Sequence, residues 1–161
     1  MPKVNRESQT FFVSSWAAVA IMLIVIFWFS AQDGTTLDED LGGISAFKAW
    51  LAQMATVAFG QQVDVSPIGH FTEYLLLGAT LENALSLTAK QTAKQGRAPS
   101  VWKLVALATV LSSVYGASDE FHQIFTPGRS CDPADWLVDT IAALIGSLIV
   151  ALVLRKTKDT H

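Results

Sequence analysis

The chain has 161 residues, 51% of them hydrophobic and only 16% charged, with a mean hydropathy of +0.38. That length bounds it to one domain, and that balance excludes the ordinary soluble classes in favour of a membrane protein. The formal net charge of -3 excludes little, because basic and acidic residues occupy separate stretches, while the lone Cys131 excludes an intrachain disulfide and a cysteine-based zinc site.

Residues 11–29, preceded by Lys3 and Arg6, form an almost unbroken apolar run. At about 1.5 Å per residue it crosses a hydrocarbon core of roughly 30 Å. It also exceeds the apolar stretch of a signal peptide, and no A-x-A site follows it, so it is read as the first transmembrane helix. Residues 31–65 turn polar and acidic, with Asp33, Asp38, Glu39, Asp40 and Asp64. Inside them Ile44, Phe47, Trp50, Leu51, Met54 and Val57 recur at three- and four-residue steps, which predicts a helix over 43–59 lying in the interface plane. Two roles are open to it, a lid over a site or packing across the bundle mouth.

Ser66 and Pro67 give a second span, 66–87, an N-cap followed by proline in the first turn. A basic loop with Lys90, Lys94, Arg97 and Lys103 leads to the third span, 104–125, which Pro127 and Gly128 stop. The fourth, 133–154, opens at Asp132 and Pro133 and closes at Arg155, Lys156 and Lys158. With the N-terminus inside, only Lys48 and Arg129 fall outside, so the basic residues set the orientation. The prediction is an all-α fold: one domain over 1–161, a four-helix transmembrane bundle with both termini cytoplasmic and one extra interfacial helix in the first outer loop. Small residues at four-residue spacing, Ala108, Ser112 and Gly116 on the third span and Ala142 and Gly146 on the fourth, suit close helix contact in lipid.

Helical rise, counted from the outer ends, brings Glu73, Asp119 and Asp139 to one level, with His70 and His122 nearer the outer interface and Tyr115 deeper. Tyr115, Asp119 and His122 share a stripe with Gln123 beside it, His70 and Glu73 share a face, and Asp132, Asp135 and Asp139 share another. Ser30 reaches the rim from the end of the first span. Ionisable residues inside membrane segments are by default functional-site candidates. The expected site is an outward-facing polar pocket in which His70, Glu73, Asp119, Glu120, His122 and Asp139 carry acid–base chemistry, paired as His122 with Asp119 and His70 with Glu73. Ser30, Tyr115, Gln123, Arg129 and Asp135 are its substrate-binding residues. The competing roles are helix capping for Asp132 and Asp135 and hydrogen-bonded packing for the histidines. A bound cation would answer the excess of acids, but no H-E-x-x-H spacing selects a divalent metal, so the metal-free reading ranks above it and no cofactor is assigned.

At these residues the sequence resembles the VanZ-like family of small bacterial membrane proteins. The likeness rests on FWFSAQ after the first span, HFTEYLLLG opening the second, and YGASDEFHQIFTPGRSCDPADWLVDTIAALIG across the third and fourth. It covers the four spans but neither the interfacial segment nor the basic loop. Asp139 stands where the family pattern often has asparagine, and Ala143 where it often has glycine. The resemblance implies a location at the outer face of the envelope, since the founding member is associated with resistance to the glycopeptide teicoplanin. It carries no settled reaction.

Residues and resemblance together point to a multi-pass protein of the cell membrane whose partner is an envelope lipid or lipid-linked precursor, not nucleic acid. An enzyme using histidine–carboxylate acid–base chemistry is the leading reading. The alternative is a non-catalytic binding or resistance factor at the outer surface. A proton or ion pathway is weaker, the inner half of every span being read as lacking ionisable residues. The oligomeric state is not fixed by the sequence.

Overall fold

Long apolar runs closed by basic clusters fold here as helices, and no strand occurs among the described residues. The computed structural model describes residues 6–31, 53, 66–93 and 99–159. Four long helices make up nearly all of them: α1 (Arg6–Ser30), α2 (Ser66–Thr92), α3 (Val101–Gln123) and α4 (Pro133–Asp159). Several run past the apolar segment that predicted them, α2 to Thr92 and α4 to Asp159, because basic and polar residues continue a helix beyond the stretch that lipid requires to be apolar. The interfacial helix expected over 43–59 lies outside the described residues, apart from Gln53.

Three of the helices, over Gln9–Ser30, Val101–Gln123 and Pro133–Thr157, are long and apolar enough to cross a membrane. α2 is equally long, but His70, Glu73, Glu82 and Asn83 interrupt its apolar surface. It tolerates them by position. α2 and α3 each pack against the other three helices, whereas α1 and α4 make no contact among the described residues and lie on opposite sides of that central pair. The outer faces carry the exposed apolar side chains, among them Phe11, Ile24, Val114, Ile149 and Leu152. This inversion suits a bundle whose solvent is lipid, with its polar groups turned inward.

The α2–α4 contact is made backbone to backbone. A Cβ at Gly78 would fall on the Ala143 carbonyl, and one at Gly146 on the Leu75 carbonyl. Ser147 Oγ donates into the same seam, to Gly78 O at 3.1 Å and Ala143 O at 2.8 Å. Small residues let helices approach this closely. Ala108, Ser112, Gly116 and Ala142, the small positions expected to mediate contact, are buried as well.

α3 and α4 are joined by a short turn. Arg129 N donates to Thr126 O at 3.2 Å across Pro127 and Gly128, and Gly128 has φ 75°, the type II arrangement that requires glycine at its third position. Asp132 then caps α4, its Oδ1 accepting the Ala134 N–H at 2.8 Å, with Pro133 at the first helical position.

Candidate functional site

The C-terminal ends of α1 and α3 and the N-terminal ends of α2 and α4 meet at one end of the bundle, and most of the polar residues lie there. His70 sits in the second turn of α2, Glu120 in the last turn of α3 and Asp139 in the second turn of α4. All three are buried. His70 Nδ1 faces Asp139 Oδ1 at 3.6 Å across the α2–α4 interface. One ligand atom each of His70, Glu120 and Asp139 fall within 4.8 Å of one another.

Asp119, one residue before Glu120, turns toward α1. It is buried, accepts from Gln123 Nε2 at 3.3 Å, and has Ser30 of α1 beside it. Glu120 accepts the Asp132 backbone N–H on Oε2 at 2.8 Å, which ties the end of α3 to the start of α4. Glu73 is half-buried, within electrostatic range of His70, Asp119, Asp139 and Arg129. Arg129 reaches back to α1, its Nη2 3.5 Å from Phe29 O.

The expected pairings change. His70 pairs with Asp139 rather than with Glu73, because residues three apart on one helix lie side by side while Asp139 faces His70 from the opposite wall. His122 lies within electrostatic range of Asp119, but its ring stacks on Phe27 with centroids 4.8 Å apart and a 31° tilt. Tyr115 donates to Leu23 O at 2.7 Å and so fastens α3 to α1. Asp135 is half-buried in the first turn of α4, and Asp132 serves as the cap.

Two buried groups were not singled out in the sequence. Tyr74, fully buried, stands four residues after His70 on the same face, a spacing that was legible. A Cβ added at Gly116 would stand 3.3 Å from Tyr74 Cε1 and 3.5 Å from Asp139 Oδ2, so Tyr74 and Asp139 converge on the gap that this glycine leaves. Glu82 corrects the expectation that the inner half of each span lacks ionisable residues. It is fully buried in α2, with Ser86 donating to its Oε1 at 3.0 Å.

A deeply buried polar atom ordinarily finds a partner. Here Ser30 Oγ, His70 Nδ1, Tyr74 OH, Glu120 Oε1, Arg129 Nε and both oxygens of Asp139 are buried without a hydrogen-bond partner among the described residues, as are Ser112 Oγ and Glu82 Oε2 deeper in the bundle. Leaving such an atom unpaired costs about 1–3 kcal/mol, so their concentration makes this end the candidate site. The groove between Ser86, Lys90, Leu104, Ala151 and Arg155 lies at the other end of the bundle and is lined mainly by apolar side chains. It lacks this chemistry.

Residues 15–154, nearly the whole chain, match the family described as VanZ/LLP1. No curated protein and no solved structure matches the chain.

Proposed function

Because the chain belongs to the VanZ/LLP1 family and bears membrane-spanning helices, we propose that it takes the polar headgroup of an envelope lipid or lipid-linked precursor into the polar end of its bundle. The observation that carries this reading is the set of buried polar atoms on Ser30, His70, Tyr74, Glu120 and Asp139 that find no partner among the described residues. Headgroups offer the donors and acceptors that these atoms lack, and lipid tails remain against the apolar outer faces. In this reading the end faces the extracytoplasmic side. The clustering of Lys90, Lys103, Arg155, Lys156 and Lys158 at the opposite end of the helices supports that orientation.

Within the site, His70, Glu73, Asp119 and Asp139 exchange protons with the headgroup, and Arg129 holds its anionic part. Native mass spectrometry of the full chain, purified in nanodiscs containing envelope lipid, tests the assignment. Wild type should retain a lipid that Asp119→Ala and Arg129→Ala release. Equal retention by all three proteins overturns it. A change in headgroup mass on incubation identifies an enzyme, and an unchanged retained lipid identifies the non-catalytic holding factor.

A further inference from the structure

His70, Glu120 and Asp139 come from three different helices, α2, α3 and α4, yet their facing atoms lie within 4.8 Å of one another. Each residue is more than nine-tenths buried, at 9%, 3% and 0% exposure. His70 Nδ1, Glu120 Oε1 and both Asp139 oxygens have no hydrogen-bond partner among the described residues. A histidine and two carboxylates converging in this way are suited to serve as a ligand set.

The His70–Asp139 separation is an ion-pair distance that also suits two ligands of one ion. At 3.6 Å, His70 Nδ1 and Asp139 Oδ1 are too far apart for a hydrogen bond. Two ligands each about 2.1 Å from a tetrahedral ion stand about 3.4 Å apart, close to that separation. Glu120 is oriented from outside the cluster. Its Oε2 accepts the Asp132 N–H at 2.8 Å, the kind of outer hydrogen bond that fixes a metal ligand, and its Oε1 is buried and uncommitted among the described residues. Gly116 leaves room for Asp139, since a Cβ there would stand 3.5 Å from Oδ2.

We propose that His70 Nδ1, Glu120 Oε1 and Asp139 Oδ1 bind a divalent cation, with zinc as the ion best suited to one imidazole and two carboxylates. Neutral imidazole and two carboxylates together offer the charge that a divalent ion balances. Three protein ligands leave a coordination position open, as in catalytic rather than structural zinc sites. With the ion in place His70 is a ligand, and Glu73 and Asp119 remain as the proton carriers. The use of the open position on a headgroup rests on the function proposed above, but binding of the ion does not.

The test uses the full chain purified in detergent, stripped with chelator and titrated with Zn2+ against a chromophoric competitor in the absence of added lipid. Wild type should take up about one zinc per chain. Asp139→Asn and Glu120→Gln should bind roughly 100-fold more weakly or not at all, while Glu82→Gln, which alters a buried carboxylate elsewhere, should bind as wild type does. X-ray absorption of the wild-type zinc protein, which depends on no variant, should show a single imidazole with oxygen neighbours. Absence of uptake by wild type, undiminished binding by both ligand variants, or a sulfur neighbour from Cys131 overturns the proposal. Each of those results leaves lipid retention to be judged by its own measurement, so the two readings fail separately.

Discussion

His70 Nδ1 stands 3.6 Å from Asp139 Oδ1 at the α2–α4 interface, with both side chains buried. Removing one member of a buried polar pair strands the other. Asp139→Leu should therefore lower unfolding stability by about 3 kcal/mol, whereas His70→Leu with Asp139→Leu should recover most of that loss. Thermal unfolding in detergent measures both, and equal melting of single and double variants would count against the contact. Lipid retention should stay lost in the double variant, which separates fold from function.

Tyr115 is a polar tie between α1 and α3, donating to Leu23 O at 2.7 Å. Tyr115→Phe removes the hydroxyl without changing the ring and should lower stability by about 1 kcal/mol. A melting temperature identical to wild type would show that the tie contributes nothing.

The turn between α3 and α4 relies on Gly128 at φ 75°. Gly128→Ala places a Cβ in a left-handed conformation and should cost about 1–2 kcal/mol. The same change should weaken zinc uptake, because this turn sets the Asp132 N–H against Glu120. Both effects are read by melting and titration of one protein preparation.

Cys131 is exposed beside the polar end of the bundle and is the chain's only cysteine. If that end faces out, a membrane-impermeant maleimide should label Cys131 in intact cells, and Cys131→Ser should abolish the signal. Labelling only after the cells are broken would reverse the orientation proposed here.

Much of this arrangement was legible in the sequence, for definite reasons. Apolar length announced α1, α3 and α4, the Pro127 and Gly128 pair announced the turn, and Asp132 with Pro133 announced the start of α4. Counting residues from helix ends also brings His70, Glu73, Asp119 and Asp139 to one end of the bundle. The pairings were not legible, because helical periodicity gives a residue's angle about its own axis and says nothing of how neighbouring axes are rotated. So helical spacing offers Glu73 as the partner of His70, whereas Asp139 faces it. Glu82 was visible all along within an apolar stretch, and its burial against Ser86 emerges only in three dimensions.

Gly78 and Gly146 carry no functional group, yet they bring the backbones of α2 and α4 together. Two main chains this close leave no gap for an acyl tail, so the seam that sets the spacing of His70 and Asp139 is sealed against the bilayer. The alignment of the site is thus inherited from hydrogen-only side chains about two turns away. A search for reactive residues would pass over both, although a single methyl at either would be felt at the far end of the seam.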